Sequence, residues 1–119
     1  MAFIEKLTYT PTTVTNYQTA EEFIEVELRR GMADGALYAE LDAAASDLWL
    51  QYRDAIIEVH TNRTATLDVE TQVLSMVKTW PDEDTRDQYY VIKYSYCDEN
   101  HPQHHSNFNI IKSVEIETT

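Results

Sequence analysis

The stretch ALYAELDAAASDLWLQYR, from Ala36 to Arg53, carries the clearest secondary-structure signal of the sequence. Its apolar side chains recur every three or four residues and form a single stripe, made of Leu37, Leu41, Ala44, Leu48 and Tyr52. Alanine is frequent, and neither glycine nor proline interrupts the stretch. The pattern predicts an amphipathic helix that continues as far as about His60. As an alternative, the β-branched residues of Ile56 to His60 allow a strand that pairs back after a turn at Asn62 and Arg63.

Two signals disagree over Thr19 to Gly31. A capping box formed by Thr19 and Glu22 favours a helix that ends at the glycine. The i,i+4 pair of Glu25 and Arg29 favours a helix as well. The competing signal is a strand-like alternation of apolar and charged residues, with apolar positions at Ile24, Val26 and Leu28. We favour the helix, because the capping signal does not depend on the periodicity.

Three stretches alternate apolar and polar residues as strands do, and they are Phe3 to Tyr9, Gln72 to Trp80 and Phe108 to Ile116. The second can be extended back to Thr64, and its apolar residues also allow a helix. In the third, one predicted face holds Phe108, Ile110, Lys112, Val114 and Ile116, and the other holds Asn109, Ile111, Ser113 and Glu115. Together these stretches predict a small, mostly antiparallel sheet of about three to four strands.

The acidic stretch that follows Trp80 resembles the start of a helix. Pro81 suits the first helical position, and the carboxylates of Asp82, Glu83 and Asp84 suit the positive end of the helix dipole. A helix to about Tyr94 is therefore predicted, followed by a polar loop from Cys97 to Asn107. The alternative is a hairpin whose second strand is the aromatic, β-branched run YYVIKYSY, Tyr89 to Tyr96.

These elements predict one α+β domain over residues 1–119, with a long central helix packed on the sheet. The order strand, helix, strand in the C-terminal half is compatible with half of a ferredoxin-like arrangement. No apolar run is long enough to span a membrane, and no signal peptide is recognisable at Met1. We therefore expect a protein that is neither secreted nor membrane-spanning.

Charge narrows the classes of function. The chain has 21 acidic residues against 9 Lys and Arg, giving a formal net charge of -12. This balance argues against binding to nucleic acid or to a membrane surface, and it leaves protein partners or self-association. The sequence has no motif for nucleotide cofactors or metal-dependent catalysis, so we expect no cofactor and no enzymatic activity.

One loop gathers residue types that bind metals, namely Cys97, Asp98, Glu99, His101, His104 and His105. A zinc site usually takes ligands from two rigid segments, and this loop supplies one, so we interpret it as a solvated loop. Acidic neighbours disfavour the thiolate of Cys97, which we expect to be a bystander. Three carboxylates near apolar residues deserve a test of burial, namely Glu58, Asp68 and Glu70.

The candidate interaction residues are an aromatic cluster and the adjoining acids, namely Trp80, Tyr89, Tyr90, Tyr94, Tyr96, Asp82, Glu83 and Asp84. Tyrosine and tryptophan dominate the energetic centres of protein interfaces, although the same residues also fill ordinary cores. The surrounding segment VLSMVKTWPDEDTRDQYY, Val73 to Tyr90, resembles small proteins of tailed bacteriophages, in which a strand ending in a basic residue and Trp precedes an acidic helix start. The resemblance implies a virion component or an early phage protein, located in the virion or the host cytoplasm, with no catalytic residues to transfer.

The sequence thus favours a non-enzymatic structural or assembly protein that acts through protein contacts. An alternative is a small acidic inhibitor or adaptor that mimics nucleic acid and binds a basic surface of a host protein. A third is a ligand-binding or enzymatic domain with a pocket between helix and sheet. This last hypothesis requires a concave site that holds a buried titratable group.

Overall fold

A computed structural model describes residues 2–29, 33–101 and 109–118 of the chain. Its elements in chain order are β1 (Phe3–Pro11), α1 (Ala20–Phe23), the π-helical turn (Ile24–Leu28), α2 (Asp34–Ala44), α3 (Asp47–Asn62), β2 (Thr64–Asp68), β3 (Val73–Trp80), α4 (Glu83–Asn100) and β4 (Ile110–Thr118). The α+β class predicted from the sequence is confirmed.

The four strands form one sheet in the order β2-β3-β1-β4. Strand β1 pairs antiparallel with β3 on one side and with β4 on the other, so β3 and β4 run parallel to each other. Helix α4 connects these two strands, and β1 lies between them. In the register of the sheet, Glu5 of β1 is opposite Lys78 of β3 and Ile116 of β4.

The strand predicted from Gln72 to Trp80, with its extension back to Thr64, is a hairpin of β2 and β3. The turn between them begins where the Asp68 carboxylate accepts hydrogen bonds from the backbone N–H groups of Glu70 and Thr71. It ends at Gln72, which has a φ of 63°. Because a left-handed residue reverses the chain here, one alternating run becomes two strands.

The long central helix predicted from Ala36 is two helices, α2 and α3. Helix α2 ends at Ala45, which adopts a left-handed conformation with a φ of 51°. Helix α3 begins at Ser46, whose hydroxyl accepts a hydrogen bond from the backbone N–H of Trp49 at 3.2 Å. The buried side of α3 is therefore centred on Trp49 and Ile56 rather than on Leu48 and Tyr52. The alternative strand at Ile56 to His60 is wrong, because α3 continues through Asn62.

The helix predicted after Thr19 is present, and the Thr19 hydroxyl caps it by accepting from the N–H of Glu22 at 3.1 Å. Its second half is a π-helical turn, which the sequence did not predict. Arg29 pairs with Asp34 at 2.7 Å, and the described structure shows no ion pair between Arg29 and Glu25. The predicted end at Gly31 lies outside the described residues.

The segment after Pro81 is helix α4, and the hairpin alternative is wrong. Asp82 caps the helix through hydrogen bonds from the backbone N–H and the hydroxyl of Thr85, both 2.7 Å. The helix continues to Asn100, so the predicted loop does not begin at Cys97. The remainder of that loop, residues 102–107, lies outside the described part of the chain.

The helices cover one face of the sheet, where two hydrophobic clusters are separated by a charged pair. The larger cluster includes Phe3 and Trp80, and the smaller includes Leu7. Between them lie Glu5 and Lys78, which are opposite each other in the register and only 1% and 4% exposed. Burial of charged groups is costly, so this pair needs an explanation beyond packing.

Candidate anion-binding site

A pocket of about 140 Å³ opens at this break in the core. It lies between α4, the residues that follow α1, and the covered face of β1, β3 and β4. Four of the nine Lys and Arg residues of this acidic chain line it, namely Arg29, Lys78, Lys93 and Lys112. An acidic protein thus places nearly half of its cationic side chains around one small cavity.

The local structure explains how these side chains meet. Lys78 and Lys112 occupy strand positions whose side chains point to the covered face. Lys93 lies one turn of α4 beyond Tyr89. Arg29 follows directly after the π-helical turn, a conformation that frequently occurs at functional sites. The convergence therefore arises from the topology, since the four residues are far apart in sequence.

The three lysines have no acidic partner in the described structure. No ion pair within 4.0 Å joins Lys78, Lys93 or Lys112 to a carboxylate of a described residue. Their ammonium groups lie near tyrosine rings instead: Lys78 Nζ is 5.4 Å from the centre of the Tyr89 ring, and Lys112 Nζ is 5.0 Å from that of Tyr90. Such cation–π contacts offset only part of the cost of burial. The three lysines thus hold positive charge that lacks close carboxylate compensation.

Glu5, the acid nearest to Lys78 in the sheet, bonds to other groups. Its carboxylate accepts hydrogen bonds from Trp80 Nε1 at 3.2 Å and from the Tyr90 hydroxyl at 3.0 Å, and Arg86 is 3.6 Å away. These bonds hold the carboxylate beside the cluster without an ion pair to any of its lysines. Glu5 therefore lowers the positive potential of the pocket while leaving the lysine ammonium groups available to another anion.

The electrostatics of the pocket lower the pKa of each lysine. Burial, and then the positive charges of Lys93 and Arg29, hold the pKa of Lys78 well below its ordinary value. Burial, followed by Arg29 and Lys112, lowers the pKa of Lys93 from 10.5 to about 8. Burial also lowers the pKa of Lys112. Lysines that repel one another in a partly dry cavity bind an anion because its charge relieves that repulsion.

The wall of the pocket is aromatic and apolar. Tyr9, Tyr90 and Tyr94 contribute rings, and Met76 and Ile110 contribute apolar surface. Burial raises the pKa of Tyr9 to about 12, so its hydroxyl stays protonated at neutral pH. Neutral hydroxyl groups and cations both donate hydrogen bonds, so the walls favour a ligand that is rich in acceptor oxygens.

The predicted interaction residues are distributed over core and surface. Trp80 and Tyr89 are buried in the larger hydrophobic cluster, so their side chains are not on the surface. Tyr90 and Tyr94 line the pocket, and Tyr94 is the more exposed of the two. Tyr96 donates a hydrogen bond to Glu40 at 2.8 Å. The predicted aromatic residues therefore do not form one continuous surface, and two of them line the pocket.

The predicted acids at the start of α4 have local structural roles. Asp82 is the helix cap, and Asp84 accepts a hydrogen bond from the Tyr52 hydroxyl. Glu83 is exposed in the first turn. The three acids that deserved a test of burial are exposed, namely Glu58, Asp68 and Glu70. None of the six lines the anion pocket.

The loop with metal-ligand residue types is described only in part. Cys97 is buried, and burial raises the pKa of its thiol. His101 Nε2 lies 2.8 Å from a Glu40 oxygen, while His104 and His105 lie outside the described residues. Within the described ranges, no three residues of the types His, Cys, Asp and Glu are grouped to hold a metal ion.

Sequence reasoning did not single out the four cationic residues of the pocket, although a signal existed. In VLSMVKTW, Lys78 takes the place of an apolar residue on the face of Leu74, Met76 and Trp80. Lys112 likewise stands among apolar residues of β4. A lysine on the covered face of a strand is unusual, and two on the same sheet indicate a polar site.

No protein-family model matches this chain, and comparisons with curated proteins and with solved structures find no match. Among the helices of the described residues, none is long and apolar enough to cross a membrane. A function for this chain is therefore inferred from the geometry and charge of the pocket.

Proposed function

We propose that this protein binds a small anion in the lysine pocket. The observation that carries the proposal is the group of Lys78, Lys93 and Lys112, which surround one cavity without a carboxylate partner among the described residues. Isolated buried cations destabilise a fold, and a bound anion offsets that cost. The pocket also meets the requirement of the third hypothesis from the sequence, a concave and partly apolar site that holds buried titratable groups.

The size and walls of the pocket favour a particular kind of ligand. A cavity of about 140 Å³ accommodates a few non-hydrogen atoms, such as a carboxylate or phosphate group with a short attached chain. Three ammonium groups suit two or more acceptor oxygens, and the tyrosine, Met76 and Ile110 surfaces suit an apolar remainder. A small organic acid or a phosphate monoester is the ligand class that fits best.

The net charge of the chain favours a small ligand over a polyanion. A nucleic acid extends over many Debye lengths of about 8 Å each and is repelled by the -12 charge of the surface. A small anion is enclosed by the pocket, where the nearby ammonium groups dominate the local potential. The proposal thus agrees with the expectation that nucleic acid is not a partner.

Isothermal titration with inorganic phosphate tests this proposal. Lys112→Met keeps the length of an exposed side chain and removes one charge, and we expect it to weaken binding about tenfold. Lys6→Met is the matched control, because Lys6 is an exposed lysine on the opposite face of the sheet and pairs with Glu117. Equal phosphate affinity in both variants, or no binding to the unmodified protein, would contradict an anion site in this pocket.

A second candidate function is the structural or assembly role favoured by the sequence, and one feature supports it. Strand β4 is an edge of the described sheet and carries Val114 and Ile116, which are 46% and 40% exposed. Tyr94 and Val91 of α4 are exposed as well. An edge strand with exposed apolar residues is a frequent site of pairing between chains. This role includes the proposal of a phage virion component.

Light scattering after size exclusion, at low and high salt, tests the assembly proposal. A defined oligomer that survives high salt and dissociates in Ile116→Lys would support contacts through β4, with Thr66→Lys on the opposite edge strand β2 as the control. A monomer at both salt concentrations would contradict it.

The ferredoxin-like arrangement is a separate proposal, supported by the strand order β2-β3-β1-β4 and by the β3-α4-β4 unit that encloses β1.

A further inference from the structure

We infer that Lys93 captures a small carbonyl-bearing anion, such as a 2-oxo acid, as an imine within the pocket. The inference rests on the proposed anion site and specifies its ligand class. An imine between protein and ligand requires an accessible amine, a nearby site for the anionic group and a cavity of matching size. The pocket offers all three.

Lys93 is the best placed of the three lysines to act as the amine. Lys78 is almost fully buried, and its ammonium lies 5.4 and 5.9 Å from two tyrosine ring centres. Lys112 is exposed at the rim. Lys93 is half-buried and lines the same cavity from α4, with its ammonium 5.9 Å from the centre of the Tyr89 ring, so it is more accessible than Lys78 and more enclosed than Lys112.

The groups around Lys93 come from every element that forms the pocket. Positive charges face it from β3, from β4 and from the residue after the π-helical turn, namely Lys78, Lys112 and Arg29. Glu27 is the carboxylate among the lining residues, and it accepts a hydrogen bond from the Tyr17 hydroxyl at 2.7 Å. Cys97 and Asp34 act in the opposite sense and raise the pKa of Lys93, but burial and the positive groups outweigh them.

This environment keeps part of Lys93 in its reactive form. With burial and then Arg29 and Lys112 lowering its pKa to about 8, roughly a tenth of the amine is neutral at pH 7. An unperturbed lysine has well under a thousandth of its amine in this form. Neighbouring cations and partial burial are recognised ways of activating a lysine amine.

The step balances without a further reactant. The nitrogen lone pair of neutral Lys93 attacks the carbonyl carbon, a C–N bond forms while the C=O π bond breaks, and the oxygen that receives its electron pair takes a proton from solvent. The resulting carbinolamine loses that oxygen as water, the nitrogen gives up its protons in exchange, and a C=N bond remains. The carboxylate of a 2-oxo acid would lie between Lys78 and Lys112, which places its adjacent carbonyl towards Lys93.

Trapping with pyruvate and sodium cyanoborohydride tests the inference. Reduction of the imine adds one carboxyethyl group, which intact mass measures and peptide mapping locates. We expect Lys93 to be labelled about tenfold faster than the exposed control Lys6, and excess phosphate to slow the labelling. Lys93→Arg removes the nucleophile, so it should lose this label, whereas Lys6→Arg should leave the labelling of Lys93 unchanged.

The outcomes separate this inference from the proposed function. Phosphate binding without preferential labelling of Lys93 would overturn the imine and leave the anion site supported. Labelling of Lys93 no faster than Lys6, together with absence of phosphate binding, would overturn both. Label at Lys78 in place of Lys93 would also overturn the assignment of the amine.

Discussion

Two neighbouring groups of buried and half-buried cations differ in whether a carboxylate compensates their charge. Around Asp34, the guanidinium groups of Arg29 and Arg63 approach one carboxylate at 2.7 and 2.8 Å. In the adjacent pocket, Lys78 and Lys93 have no carboxylate partner among the described residues. The arginines of the first group are ion-paired, whereas the ammonium groups of the second line the cavity without an ion pair.

The pKa values express the same difference. Burial alone would raise the pKa of Asp34, but Arg29, His60 and Arg63 outweigh it and lower the pKa to about 2. In the pocket, burial and like charges act together and lower the pKa of each lysine. A compensated buried charge costs less stability than an uncompensated one, and an uncompensated charge is typical of a binding site.

The largest expected effect is that of Asp34→Ala. Removing the shared carboxylate leaves Arg29 and Arg63 buried without their partner, which should reduce the free energy of unfolding by about 4 kcal/mol. Urea unfolding followed by circular dichroism measures the change. The control is Glu117→Ala, which removes the exposed partner of Lys6 and should alter stability little. Similar losses of unfolding free energy in the two variants would mean that the Asp34 ion pairs contribute no more to stability than an exposed ion pair.

Glu5→Gln should have the second largest effect, with opposite signs for stability and binding. The amide still accepts hydrogen bonds from Trp80 and Tyr90, but the negative charge beside the lysines is gone. We expect a loss of about 2 kcal/mol in unfolding free energy. Because the pocket becomes more positive, phosphate should bind severalfold more tightly. Weaker phosphate binding in a folded variant would contradict the role given to Glu5.

Most of the secondary structure around the two groups of cations was predictable from the sequence. The alternation in β1, β3 and β4 and the cap at Thr19 follow local rules, and those elements are confirmed. The prediction of Pro81 at the first helical position is wrong, because Asp82 caps α4 and the helix begins at Glu83. The break between α2 and α3 was missed, because Ala45 favours helix and the apolar stripe continues across it. The cap at Ser46 and its neighbour Asp47 offered the available signal of that break.

The pocket itself could not be predicted by local rules. Its four cationic residues come from three secondary-structure elements and the end of a π-helical turn. Only the pairing of β1 with both β3 and β4 brings Lys78 and Lys112 together, and strand order is a tertiary property. The i,i+4 spacing assigned Arg29 to Glu25, but burial places Arg29 against Asp34. Sequence patterns thus identified the buried faces of the elements but not the contact partners of the charged residues on them.

Lys78→Met tests the uncompensated lysines of the pocket and should raise stability, whereas the Asp34 and Glu5 variants should lower it. The thioether fills similar space without a buried charge, so we expect the free energy of unfolding to rise by about 1 kcal/mol. Phosphate binding should weaken at the same time, which titration measures. A destabilised variant would indicate that Lys78 contributes to the fold through its tyrosine contacts.

The smallest expected effect is a pH dependence from Lys93. Between its pKa of about 8 in the folded protein and its ordinary 10.5, the unfolded chain binds the proton that the folded chain has released. Stability therefore rises with pH from about 8 towards 10, by about 1 kcal/mol, since partial exposure reduces the penalty. Above pH 10 the trend reverses, because Tyr9 ionises first in the unfolded chain and its folded pKa is about 12.

Thermal unfolding across this pH range in Lys93→Met and in the control Lys6→Met isolates the effect. The first variant should make the rise between pH 8 and 10 shallower and leave the part that Lys78 and Lys112 contribute, and the second should keep it in full. Saturating phosphate should also flatten the rise in the unmodified protein, because a bound anion raises the pKa of Lys93 towards its ordinary value. If phosphate binds and the rise is as large as without phosphate, the anion does not contact Lys93, and Lys93 would not belong to the anion site.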